Sequence, residues 1–240
     1  SQGDNLKGLQ FLLKSLHIRE ELKDSSALPA VLNNIGLIYQ DQSDFDKALL
    51  YYQRSLKIRE ANNDKKQMAG SLNNVGLILQ IRKNYTHALD FFYQSLNINR
   101  EINDRKGEAN SLNNIGLLYK EQDSIDKALS FFEQSLFIRT EIGDSNGIAN
   151  SNISVGMIHY ARNTYLAAFN ECNTGLAIAD KLGDVLMQKD ACNCLILSSK
   201  AMGNSIKALA FHEKLLVIEE NLRKSETSKR LQEMEFNKQV

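Results

Sequence analysis

No apolar run in this chain approaches the roughly 20 residues that a helix needs to cross a membrane. Net charge is missing too, because 29 basic and 29 acidic residues cancel. Nucleic-acid backbones and anionic membranes are gathered by clustered Lys and Arg, so neither is an expected partner. Cysteine is scarce and odd in number: Cys172, Cys192 and Cys194 lack the spacing of a zinc site or a CxxC redox motif. The odd number argues against a disulfide framework, and Cys192 and Cys194, two apart on a helix and so on different faces, are expected to be buried or half-buried free thiols. The four histidines, His17, His87, His159 and His212, are scattered without the helical spacing of a metal site. A Gly-rich phosphate loop, a nucleophile elbow and an isolated acid pair are all absent, so catalysis, metals and cofactors are not expected here. The opening Ser1-Gln2-Gly3 carries no secretory leader and runs straight into helical pattern. It reads as the edge of a longer chain, which leaves a cytoplasmic or periplasmic location open.

What the chain has in abundance is repetition. Leu32-Asn33-Asn34-Ile35-Gly36-Leu37-Ile38-Tyr39 returns as Leu72-Asn73-Asn74-Val75-Gly76-Leu77-Ile78-Leu79 and as Leu112-Asn113-Asn114-Ile115-Gly116-Leu117-Leu118-Tyr119, at a period of 40 residues. Gly156 continues the series. A period in the range of about 20–50 residues marks a stacked array, in which each unit buries its apolar face only against its neighbours. Such a chain presents a long surface and is not organised around one catalytic pocket.

Read at this period, positions become columns. Asp24, Asp64, Asp104, Asp144 and Asp184 are helix N-caps by type. They follow Lys23, Asn63, Asn103, Gly143 and Gly183, where Gly and Asn tolerate the left-handed turn that ends a helix. A second column of cap formers, Asp44, Asn84, Ser124, Thr164 and Asn204, divides each unit into two helices of about 15–18 residues. Pro29 falls early in a first helix, where a missing N–H is tolerated. The second helices carry Ala48, Ala88, Ala128, Ala168 and Ala208, then Tyr52, Phe92, Phe132, Cys172 and His212, then Leu56, Leu96, Leu136, Leu176 and Leu216. This i, i+4, i+8 stripe is expected to be core, with the Gly and Ala columns where backbones approach closely. Gly76 and Gly116 are expected at such crossings.

The pattern Leu32, Ile35-Gly36, Tyr39, Ala48, Tyr52 resembles the tetratricopeptide repeat, whose usual unit is about 34 residues. The 40-residue form, with Ile142-Gly143-Asp144 and Leu182-Gly183-Asp184 at its turns, is similar to repeats of G-protein-signalling-modulator scaffolds. It also resembles the repeat regions of bacterial adenylate and guanylate cyclases and sensor histidine kinases. The resemblance implies an all-α, right-handed superhelical solenoid of antiparallel helix pairs. Residues 1–23 form half a unit, its second helix only. Residues 24–220 form five units, and residues 221–240 a charged C-terminal helix, either a cap or a connector to a further domain.

The resemblance also implies that first helices line a concave groove. Its positions here are Asn33, Asn73, Asn113 and Asn193, a ladder interrupted by Ile153; Leu37, Leu77, Leu117 and Met157 beside it; and Gln40, Gln80, Lys120 and Tyr160 on the next turn. Asn is a mediocre helix former, so its recurrence has two readings: the amides fix the stacking, or they clasp an extended peptide through their donor and acceptor. The Lys-and-Asn clamp of chaperone-binding domains is missing. The implied partner is an amphipathic protein or peptide segment, held by a scaffold or sensor module in a larger bacterial signalling protein. The alternative is the regulatory region of a cyclase or kinase whose catalytic domain lies beyond residue 240. The apolar stripe of residues 5–20, with no first helix before it, points to homodimerisation through that helix.

Overall fold

The computed structural model describes residues 2–22 and 27–239. Among them all regular structure is helical, as the two-cap pattern requires. The chain divides into two compact units, Ser1–Leu118 and Tyr119–Val240. The first holds α1 (Gln2–Glu21), α2 (Leu28–Asp41), α3 (Phe45–Ala61), α4 (Lys65–Ile81), α5 (Tyr85–Glu101) and most of α6 (Arg105–Glu121). The second holds the end of α6, then α7 (Ile125–Glu141), α8 (Ser145–Ala161), α9 (Tyr165–Leu182), α10 (Val185–Ala201) and α11 (Ser205–Gln239). Helix α11 runs unbroken through its charged tail.

The turns set these lengths. Asp64, Asp104, Asp144 and Asp184 each accept the backbone N–H three residues on, at 3.2, 2.9, 3.1 and 3.0 Å; Asp24 and Lys23 lie outside the described residues. Asn63, Asn103, Gly143 and Gly183 sit at φ +54° to +69°, the left-handed geometry expected of them. The second cap column is only partly what its residue types imply. Asp44 and Asn204 cap, at 3.2 and 3.0 Å, but Asn84, Ser124 and Thr164 make no side-chain cap bond. The Asn84 amide oxygen faces His87 Nδ1 at 2.8 Å, and the Thr164 hydroxyl donates to the His159 carbonyl at 2.8 Å. Pro29 occupies the first turn of α2, where its missing N–H costs no helical bond.

Within the pairs α2–α3, α4–α5 and α8–α9, side chains of the second helix fill the space that glycine leaves on the first. A Cβ on Gly36 would fall 2.6 Å from the Tyr52 ring, and one on Gly76 would fall 2.6 Å from the Phe92 ring. At Gly156 it would fall 2.3 Å from Cys172 Sγ. Gly116 is likewise buried. Tyr52, Phe92 and Phe132 are among the largest fully buried side chains, and burial raises the Tyr52 phenol pKa. Small residues let further polar groups in: Ser55 donates to the Pro29 carbonyl at 2.8 Å and Ser95 to that of Ala69 at 2.9 Å.

Successive pairs are joined by a polar bond. Arg59, at the end of α3, is buried and donates to the Gln67 carbonyl at 2.9 Å and to the Ser71 hydroxyl of α4. Forty residues later Asn99 donates to Ser111 at 3.2 Å, and 40 further Arg139 reaches the Gly147 carbonyl at 2.8 Å and Ser151 at 3.2 Å. Burial lowers the guanidinium pKa of both arginines, and Asp64 and Asp144 beside them oppose that shift. A buried charge is costly unless it is paired or hydrogen-bonded, and the facing carbonyl and serine accept from Nη1 of each arginine.

Two expectations are corrected. Cys172 of α9 and Cys194 of α10 are disulfide-bonded, with Cα atoms 6.2 Å apart; only Cys192 is a buried free thiol, its pKa raised by burial. Cys172 stands where the first three full units carry an aromatic ring and Cys194 where they carry the second Asn. The second correction is in α11. Leu216 is 54% exposed and His212 is exposed, although their columns are core elsewhere. Among the described residues no following first helix covers them, and Ile196 occupies the glycine position of α10, closing the slot that takes Tyr52 and Phe92 at Gly36 and Gly76.

Candidate functional site

In the Ser1–Leu118 unit most polar positions of the expected groove already have partners. Asn33 accepts from Asn74 Nδ2 at 2.8 Å, and Asn73 Nδ2 donates to Ser111 at 3.3 Å. Gln40 accepts the Tyr52 hydroxyl at 2.8 Å, and Gln80 is buried. These amides link neighbouring helices, the stacking role that one reading of the ladder gives them. The Oδ1 atoms of Asn73 and Asn113 are buried without a hydrogen-bond partner. Leu37 is exposed, while Leu77 and Leu117 are half-buried, so this face offers mainly aliphatic surface.

The Tyr119–Val240 unit differs. A cavity of about 350 Å³ is lined by Lys120, Asn150, Ile153, Ser154, Met157, Met187, Asp190 and Asn193. That volume lies at the lower end of the range of about 300–1,000 Å³ for small-ligand sites. It brings together three expected groove positions, Lys120, Met157 and Asn193, with Ile153. Tyr160 is not among its lining residues; its ring packs on Tyr165 at 5.6 Å.

Helix α8 supplies Asn150, Ile153, Ser154 and Met157, one per turn or half-turn along a single face. Helix α10 supplies Met187, Asp190 and Asn193, spaced by three. Lys120 comes from the last turn of α6. The floor is apolar, since Ile153 is buried and packs in one cluster with Cys172, Cys192 and Cys194, with Met157 and Met187 against it. Ile153 breaks the Asn ladder, and here that break makes the floor. The polar lining is uncommitted: among the described residues the side chains of Lys120, Asn150, Ser154, Asp190 and Asn193 have no protein hydrogen bond or ion pair. Unlike the amides of the first unit, these are available to a ligand.

Column reading gave Lys120, Met157 and Asn193 and passed over Asn150, Ser154, Met187 and Asp190. Asn150 and Asp190 continue the exposed column that begins at Ala30 and Gly70, and following it past those side-chain-poor members finds them. Met187 has no such signal, because its column holds Gln67, Gly107 and Gly147.

A second hollow, of about 490 Å³, lies on α1 and is lined by Phe11, Lys14, Ser15, Ile18, Arg19 and Leu22. The counterparts of Phe11 stack on a first-helix aromatic: Tyr51 on Tyr39, and Phe131 on Tyr119, both at 5.5 Å. Phe11 is 72% exposed. Among the described residues no cluster of three or more His, Cys, Asp or Glu could hold a metal, and no helix is long and apolar enough to cross a membrane.

No curated protein sequence matches the chain. Solved structures do. BtubC (BKLC) from P. vanneervenii superposes with a TM-score of 0.80 at 18% identity, over 91% of this chain and 92% of that one. Repeats of a putative kinesin light chain from Podospora anserina give 0.66 at 13%, over 83% and 99%. A signal-transduction ATPase with numerous domains and a tetratricopeptide repeat sensor, from Pyrococcus horikoshii, gives 0.75 at 20%, over 86% of this chain and 32% of that one. At such identities the likeness is one of fold. The sequence profile described as tetratricopeptide repeat matches residues 1–61 and 67–141, more than half of the chain, and with the paired helices, the glycine crossings and the 40-residue period it places this chain in the tetratricopeptide repeat family.

Proposed function

We propose that this chain is a non-catalytic binding module that holds an extended, amphipathic protein segment on the exposed face of its first helices. The cavity lined by Lys120, Met157 and Asn193 is the principal contact. The observation that carries this reading is the set of uncommitted polar side chains around an apolar floor. Backbone groups of an extended segment match the amides of Asn150 and Asn193, and the two thioethers adapt to an apolar side chain. The test is selection from a displayed random-peptide library on the immobilised protein. Enriched peptides should bind the unaltered chain and lose most of their affinity for Met157→Glu, which puts a charge on the floor. No enrichment, or binding indifferent to that substitution, would sink the reading.

The module serves as the scaffold or sensor part of a larger signalling protein. A second reading, the regulatory region of a signalling enzyme, draws support from the Pyrococcus ATPase, which carries a tetratricopeptide repeat sensor and is matched over 32% of its chain.

Self-association belongs to the same proposal. The hollow on α1 exposes Phe11, Ile18 and Leu22, and an apolar patch of this kind finds a partner, here the same helix of a second copy. Light scattering should show a concentration-dependent dimer that vanishes when residues 1–20 are deleted. A monomer at high concentration, or a dimer that survives the deletion, would exclude it.

A further inference from the structure

We infer that the cavity of the Tyr119–Val240 unit selects a segment with an apolar side chain flanked by one acidic and one basic residue, the acid toward Lys120 and the base toward Asp190. The inference rests on the peptide-binding reading and adds the ligand's charge order to it.

The nearby charges of this unit are largely spent on one another. Arg162 pairs with Asp126 at 3.5 Å, Lys189 with Glu219 at 2.9 Å and Lys214 with Asp180 at 2.7 Å. Lys189, next in sequence to Asp190, is thus already neutralised. Lys120 and Asp190 are both exposed, both line the cavity, and neither has an ion-pair partner among the described residues. One comes from α6 and the other from α10, while α8 supplies the apolar floor between. A ligand charged the same way throughout gains at one wall and is repelled at the other. A segment carrying both signs gains at both.

Both groups stay wet, so each contributes modestly to affinity and more to discrimination, where like-charge juxtaposition counts against the wrong partner. Between them Ile153, Met157 and Met187 present a flexible apolar seat. Asn150 and Asn193 each offer a donor and an acceptor to the backbone of a segment that passes over it. In an extended chain, side chains two residues apart share a face. An acid, an apolar residue and a base at alternate positions therefore all point into the cavity together.

Three fluorescein-labelled peptides test this, identical except at the two positions that flank a central leucine by two residues: Glu and Lys, Glu and Glu, or Lys and Lys. At low salt the mixed peptide should bind the unaltered protein about tenfold more tightly than either uniform one. Lys120→Glu should transfer the preference to the Lys/Lys peptide, and Asp190→Lys to the Glu/Glu peptide. Both residues are exposed, so circular dichroism and melting should be unchanged. If all three peptides bind the unaltered protein and the Lys120 and Asp190 variants with equal affinity, and lose it at Met157→Glu, the charge order is wrong and the binding reading stands. If none binds, both fall.

Discussion

Gly76→Leu is expected to lower stability by roughly 1–3 kcal/mol or more, the range for overpacking a filled core. Even the first carbon of a side chain would fall 2.6 Å from the Phe92 ring. That ring is fully buried, so it cannot swing into solvent to make room. Helices α4 and α5 must part instead, and the loss should appear as a lower urea midpoint. Gly70→Leu is the control, since nothing lies within 4 Å of a Cβ there, and should cost little. An unchanged midpoint in the Gly76 variant would refute the close-crossing assignment.

Reduction of the Cys172–Cys194 bond is expected to have an effect of similar size, about 3 kcal/mol. The two residues are 22 apart, and closing a loop of that length in the unfolded chain accounts for about this much in the chain-entropy account. Because an array's stability is a sum of local and nearest-neighbour terms, the loss should concentrate in hydrogen exchange of α9, α10 and α11. The double substitution Cys172→Ala with Cys194→Ala should reproduce the effect and abolish sensitivity to reductant. Equal midpoints with and without reductant would refute the bond's contribution, and a uniform rise in exchange across all described helices would refute its local reach.

The period made the fold legible because a column carries the same physical demand in every unit. Asp104 could be read as a cap, and Gly36 beside Tyr52 as a close crossing, because each recurs with its neighbours intact. A column says nothing about whether the neighbouring helix is present, which is why Leu216 read as core and is exposed. Nor does it reveal contacts between columns. Cys172 and Cys194 lie in different ones, and only the packing of α9 on α10 brings them together. Nor does it show where Arg59 and Arg139 go, since a long side chain in a last turn can end in water or fold under the next helix and its sequence is the same in both cases. For the candidate site, the apolar members Ile153 and Met157 were visible as departures from their columns. The amides were ambiguous because Asn33 and Asn193, identical in type and register, have different surroundings: one is bonded to Asn74 and the other lines a cavity.

The α9–α10 seam is joined differently from α3–α4 and α7–α8, its polar link being Gln188 Nε2 donating to the Ala179 carbonyl at 3.4 Å, and this bears on the order in which the chain comes apart. Where α3 reaches α4 through Arg59 and Ser71, and α7 reaches α8 through Arg139 and Ser151, the corresponding positions at α9 and α10 are Ala179 and Ala191. Donor and acceptor have been lost together, so no buried group is orphaned. That seam is the one spanned by the Cys172–Cys194 bond. Under oxidising conditions a covalent link takes the place of the guanidinium. Under reducing conditions the seam has neither, and a chain pulled or heated there should begin to peel from α10 and α11, leaving the arginine-stapled pairs for last.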